Sequence, residues 1–164
     1  MPAESASIKS ITLNNLKDTA RFAKTIAPLL DNQVVFLMGT LGSGKTTFVR
    51  YLVAELPGGK NAEVASPSFT LCNIYPTTPE VLHYDLYRLP PGSHDESLEE
   101  ALDNIEYSTS GIKRKKSALL IEWAENMPEV LIPADRLEIY WHMMPEGREV
   151  IIKGIGRAAK LPIF

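Results

Sequence analysis

The sequence predicts an α/β protein: a mixed sheet with a parallel centre and antiparallel hairpins at its margins, flanked by helices. Three observations predict it. Val34-Val35-Phe36-Leu37-Met38 is a continuous apolar run, the character of a strand buried on both faces, as parallel strands are. It leads into Gly39-Thr40-Leu41-Gly42-Ser43-Gly44-Lys45-Thr46, which has the spacing G-x-x-x-x-G-K-[ST] of a phosphate-binding loop. A helical pattern follows at once. Strand, glycine loop and helix in that order make the prediction P-loop NTPase-like.

The elements follow in order. Leu16, Ala20, Ala23, Ala27 and Leu30 recur at three- and four-residue steps, so a helix with one apolar face runs from about Asn15 to Leu30. Asn14 or Asn15 can cap its start, and Pro28 bends it or ends it early, because proline removes a backbone donor. After the glycine loop, Thr46 to Leu56 reads as a helix with Phe48, Leu52, Val53 and Leu56 on one side, stopped by Pro57-Gly58-Gly59. Ser68 to Tyr75 and Val81 to Arg88 are extended runs separated by the turn-rich Pro76-Thr77-Thr78-Pro79-Glu80, a hairpin. Asp95 to Ile105 is a short acidic helix, and a polar, basic loop leads from it into Ser117 to Trp123, a second buried strand. Arg136 to Met144 and Arg148 to Gly154 are strands joined by Pro145-Glu146-Gly147, a second hairpin. No internal repeat is visible.

Length and composition set the outer limits. A chain of 164 residues is expected to form one domain, residues 1–164, and 45% hydrophobic with 23% charged residues is ordinary globular composition. The formal net charge of −3 argues against non-specific adhesion to nucleic acid, although a local basic patch is compatible with it. A single cysteine, Cys72, rules out an internal disulfide and reads as a small core residue. His83, His94 and His142 are scattered singly, without zinc-site spacing. The N-terminus lacks the pattern of a secretory signal, and no run reaches the roughly 20 apolar residues of a membrane span. The expected location is the cytoplasm.

The loop carries the clearest chemistry. Gly42 and Gly44 can adopt backbone angles closed to other residues and let peptide N–H groups approach phosphates, at a helix N-terminus whose dipole favours anions. Lys45 supplies a charge to the β- and γ-phosphates, and the Thr46 hydroxyl is a Mg²⁺ ligand. The expected cofactors are therefore ATP and Mg²⁺. A second metal ligand belongs at the end of a neighbouring strand, where Ala118 to Ile121 is followed by Glu122. Ser66 and Ser68 flank Pro67 between a helix and a strand, where a hydroxyl can sense the γ-phosphate or bind Mg²⁺, or where the three residues form a plain turn. Asp85 reads as mid-strand among aromatics, either exposed on one face, paired with Arg88, or held for chemistry.

Taken together, "GTLGSGKTTF", "SPSFTL", "HYDLYRL" and "IEW" occur in the order and approximate spacing of the TsaE (YjeE) family, which this chain resembles from about Leu16 to Leu137. "SPSFTL" and "HYDLYRL" are far more specific than the phosphate loop. The resemblance implies a slow P-loop ATPase needed for threonylcarbamoylation of adenosine 37 in tRNAs reading ANN codons, beside two partner proteins of the TsaB and TsaD types, with tRNA touched indirectly or weakly. It implies that Thr40, Leu41, Gly42, Ser43, Gly44, Lys45, Thr46 and Thr47 hold the phosphates, and that Thr46 and Glu122 hold Mg²⁺. Lys45, Asp85 and Ser68 are the implied catalytic residues, Trp123 is the aromatic after the metal carboxylate, and Asn15 to Thr19 lie near the base. Two departures stand out. Thr40 occupies the place of a usual aspartate, and "SPS" replaces "SPT".

Rival readings use the same loop. A small-molecule kinase is the alternative, with the basic residues Lys113, Arg114, Lys115 and Lys116 as a phosphate-clamping lid; that run is otherwise a solvated loop or a contact for tRNA or a partner. A GTPase is disfavoured, since no N-K-x-D segment is present.

Overall fold

The apolar run at the heart of the sequence sits at the heart of the molecule. The structure, a computed structural model, describes residues 6–109 and 115–164. In chain order the elements are β1 (Ala6–Leu13), α1 (Leu16–Ile26), β2 (Gln33–Met38), α2 (Lys45–Glu55), β3 (Cys72–Tyr75), β4 (Glu80–Asp85), α3 (Glu96–Thr109), β5 (Ser117–Glu122), β6 (Arg136–Met143) and β7 (Arg148–Ile155). The strands form one seven-stranded sheet in the order β1-β7-β6-β2-β5-β4-β3. β4, β5, β2 and β6 run parallel, and β3 on one margin and β7 on the other are antiparallel.

Because β2 is paired on both edges, its side chains have only the two sheet faces to fill. Val35 and Leu37 join the core under α1 and α2, whereas Val34 and Phe36 join the core under α3. α2 brings Phe48, Leu52 and Val53 to the first core, as the periodicity predicts, with Leu56 beside them. α3 brings Leu98, Ala101, Leu102 and Ile105 to the second, at the three- and four-residue steps of a helix face.

α1 starts where Asn15 caps it, its side chain accepting from the Asp18 N–H at 3.0 Å, while the Asp18 carboxylate accepts from the Asn14 N–H at 2.9 Å. The helix ends at Ile26 and tightens into a 3₁₀ turn through Pro28. Its buried stripe is Thr19, Phe22, Ala23 and Ile26; Leu16, expected on that stripe, is exposed.

Three expectations need correction. The run from Ser68 is a turn over 68–70, and Leu71 follows at φ 66°, so β3 begins only at Cys72. The run from Val81 stops being a strand at Asp85, which is a strand end and not a mid-strand position. β1 adds an eight-residue edge strand to β7 that the sequence reading omitted. Among the described residues, no helix is long and apolar enough to cross a membrane.

α2 is seated by Phe48, whose ring lies 5.0 Å from Phe22 and 5.1 Å from Trp141. Phe48→Ala is expected to lower stability by about 3–5 kcal/mol, read from the urea unfolding midpoint. Ile8→Ala on the exposed edge strand should stay within about 0.5 kcal/mol.

Candidate functional site

β2 ends at Met38 and the chain turns through Gly39 at φ 151°, where a Cβ would stand 2.8 Å from Ser43 Oγ and 3.0 Å from the Trp141 carbonyl. Only glycine fits there. Gly42 (φ 75°) and Gly44 (φ 112°) are in the left-handed region, which lets the loop curl back so that the Ser43 N–H donates to the Thr40 carbonyl at 3.2 Å. α2 then starts at Lys45 with no side-chain cap, so the first N–H groups of a helix, which have no partner within it, follow directly on the loop. Lys45 is buried and donates to the carbonyls of Gly39 and Thr40, the second at 3.0 Å. Burial pushes its ammonium below the ordinary lysine range, while Glu122, Asp85 and Glu125 pull it back up.

The acids reach the loop through strand register. Leu37 of β2 is the register partner of Glu122 on β5, and Glu122 is the partner of Asp85 on β4. Register partners in parallel strands share a face, so both carboxylates end their strands side by side. This is the carboxyl end of the sheet, where open α/β folds bind ligands. Glu122 is 2% exposed, and His83 Nε2 lies 3.3 Å from its Oε2. Asp85 is 6% exposed and accepts twice, from Ser66 Oγ at 2.8 Å and from the Tyr87 N–H at 2.9 Å. The second bond closes the turn that ends β4.

Of the two candidate serines, the structure joins Ser66 to Asp85; the Ser68 hydroxyl has no hydrogen-bond partner among the described residues. Arg88 does not pair with Asp85. Its guanidinium lies 4.1 Å from the ring centre of Phe69, an exposed side chain. Trp123 adopts φ 57°, an outlier for a bulky residue, which sets its ring 4.9 Å from Tyr87 and 5.8 Å from Lys45 Nζ. Of the basic run, Lys113 and Arg114 lie outside the described residues. Lys115 pairs with Glu80 and Lys116 with Asp31, each at 2.7 Å, beside the starts of β4 and β5 and so at the opposite end of the sheet from the loop.

Two site residues escaped the sequence reading. Arg148, at the start of β7, packs over the loop: its Nε would lie 3.2 Å from a Cβ on Gly44, and that Nε is buried without a partner among the described residues. Register also sets Arg148 beside Leu13, so the capped start of α1 adjoins it. His83 is the other. Neither is near the loop in sequence, and only the sheet order brings them there.

The sheet, the loop and the helix behind it define a P-loop NTPase-like α/β protein. A family model described as "Threonylcarbamoyl adenosine biosynthesis protein TsaE" matches residues 13–150. The tRNA threonylcarbamoyladenosine biosynthesis protein TsaE of Rickettsia prowazekii is 38% identical over 126 residues, 74% of this chain and 78% of the relative. Its counterpart in Aquifex aeolicus is 40% identical over 102 residues, 61% and 77% of the two chains. The crystal structure of YdiB from Bacillus subtilis shares the fold, with a TM-score of 0.65 at 23% identity over 96% of this chain and 90% of that one. This chain belongs to the TsaE family.

The hydrogen bonds make different demands on neighbouring polar residues. Asp85→Ala leaves the Tyr87 N–H and the Ser66 hydroxyl unpaired and is expected to cost about 1–3 kcal/mol in urea unfolding. Ser68→Ala is expected to stay within about 0.5 kcal/mol.

Proposed function

We propose that this chain is the ATP-binding, slowly hydrolysing component required for threonylcarbamoylation of adenosine 37 in tRNAs that read ANN codons, acting in the cytoplasm with two partner proteins of the TsaB and TsaD types. One observation carries the reading: the glycine loop, Glu122 and Asp85 converge at the carboxyl end of three adjacent parallel strands. Family membership supports the pathway, since the relatives bear the name of threonylcarbamoyladenosine biosynthesis.

The residues present fit a bound triphosphate. Among the described residues Ser43 Oγ is buried without a partner, the loop's glycines hold left-handed φ values, and the Lys45 ammonium donates its hydrogen bonds to loop carbonyls. They fit Mg²⁺ as well. No group of three or more His, Cys, Asp or Glu among the described residues forms a metal cage, and Mg²⁺ needs none, because it takes one or two carboxylates plus substrate phosphates.

In this reading the backbone from Thr40 to Thr47 cradles the phosphates, and Lys45 exchanges the carbonyls of Gly39 and Thr40 for β- and γ-oxygens. Thr46 Oγ and Glu122 hold the metal, which when bound neutralises charge on those oxygens. Arg148 adds a guanidinium beside Gly44. Asp85 and Ser68 orient the attacking water or relay the state of the γ-phosphate to the partner surface, and the Ser66 bond fixes where Asp85 stands. Thr40, in place of the family's usual aspartate, removes a negative charge from the loop's mouth.

The test pairs a tube and a cell. Purified protein is expected to release phosphate slowly from ATP, at a rate altered by the two partner proteins, and Lys45→Ala should lower that rate about 10²-fold or more. In a deletion strain, nucleoside mass spectrometry should show loss of threonylcarbamoyladenosine, restored by wild type and not by Lys45→Ala. Unaltered modification in the deletion would sink the reading. A phosphorylated metabolite formed in step with ADP would transfer it to a small-molecule kinase.

A further inference from the structure

Glu122 is buried beside a lysine that attracts it, and yet the two do not pair. Lys45 gives its hydrogen bonds to the carbonyls of Gly39 and Thr40, and none to Glu122. What the Glu122 carboxylate does touch is His83, through Oε2, at 3.3 Å. Oε1 has no hydrogen-bond partner among the described residues.

His83 has no contact with solvent. It stands two residues before Asp85 on β4, so it shares the face on which Asp85 and Glu122 lie, one step deeper toward the core. Its register partner is Leu120, a member of the core beneath α2, and Tyr75 packs on its ring with centroids 6.4 Å apart. A carboxylate only accepts hydrogen bonds, so the hydrogen of this contact belongs to the imidazole Nε2. The other nitrogen, Nδ1, is buried with no partner among the described residues.

As a stabilising device this is a poor arrangement. A buried carboxylate and imidazole both lose hydration, and apolar residues at both positions would pack the same core at lower cost. What the pair does supply is direction. Ring, donor atom and acceptor are fixed by the packing of β4 on β5, and one carboxylate oxygen is tied down while the other is left for a ligand. Groups that hold a metal-binding carboxylate by hydrogen bonding set its orientation in this way.

We infer that His83 is a positioning residue for Glu122: its Nε2–H holds the carboxylate away from Lys45 and aimed at the metal position. The inference rests on the proposed role of Glu122 as a metal carboxylate, and the experiment separates the two. The probe is an N-methylanthraniloyl derivative of ATP, its binding followed by fluorescence while MgCl₂ is titrated, with a parallel titration in EDTA. His83→Phe is expected to raise the half-saturating Mg²⁺ concentration about 10- to 100-fold and to leave metal-free nucleotide binding unchanged. His83→Gln, which keeps an N–H donor, should recover most of that loss. Glu122→Gln should shift the same midpoint.

An unshifted midpoint in His83→Phe beside a shifted one in Glu122→Gln would overturn the positioning role alone. Equal damage from His83→Gln and His83→Phe would also overturn it, since packing and not the donor would then be at stake. No shift in Glu122→Gln would remove Glu122 from the metal site, and the inference with it. Should the variants not fold, long-range ¹H–¹⁵N correlation on the wild-type imidazole decides: Nε2–H is expected, and an Nδ1–H tautomer overturns it.

Discussion

Parallel pairing of β2, β5 and β4 is the constraint on which the rest of the site depends. Because strands in parallel register present matched residues on one face, Leu37, Glu122 and Asp85 stand in a row. Two carboxylates thereby come to rest at one end of the sheet, above the buried His83 and an otherwise largely apolar interior. Such a pair needs positive charge nearby, and the loop that leaves β2 delivers it as Lys45 within a few residues of the strand end. The attraction of both acids for that ammonium opposes the effect of its burial. Loop, lysine and acids are therefore one electrostatic unit, assembled by backbone pairing.

The two segments that mark the family most specifically are also one mechanical unit. "SPSFTL" and "HYDLYRL" are joined by the hydroxyl of Ser66 on Asp85, by the Asp85 N–H on the Leu71 carbonyl at 3.0 Å, and by Arg88 lying on Phe69. Asp85 is thereby linked through two contacts to the segment that carries Phe69 on the outer surface. The segment is held further by the Ala65 carbonyl, which accepts from Asn73 Nδ2 and Tyr75 Oη, and by the Leu71 N–H on the Pro67 carbonyl. Its chain reverses through Leu71 in a conformation that a branched apolar residue adopts only when its surroundings require it.

Legibility in the sequence followed locality. β2, the glycine loop and α2 were readable because strand burial, left-handed glycines and helix periodicity all act within a few residues. Glu122 was readable too, as an acid closing an apolar run. β1 was not: of its eight residues only Leu13 is buried, so an edge strand with one neighbour leaves almost no apolar alternation to detect. The extent of the strand before Asp85 was overread because Leu86 is as buried as its strand neighbours, although the Tyr87 N–H has already turned back to the aspartate. Arg148 and His83 lay beyond reach for a different reason. Nothing adjacent to Arg148 carries a signal, and His83, although it opens "HYDLYRL", has a partner that is not local; their places at the site exist only because β7 folds back beside β6 and because β4 lies against β5.

Trp123 gives the molecule an optical property of its own. Of the two tryptophans, Trp141 packs its ring against Phe22 and Phe48 in the core, while its backbone adjoins Gly39 of the loop. Trp123 instead has the Lys45 ammonium near its ring and Tyr87 as an energy donor on its flank. Its emission should thus follow the whereabouts of a single lysine. Under the proposed function, the same left-handed backbone that sets this indole beside Lys45 makes occupancy of the loop readable as a change in emission without a label.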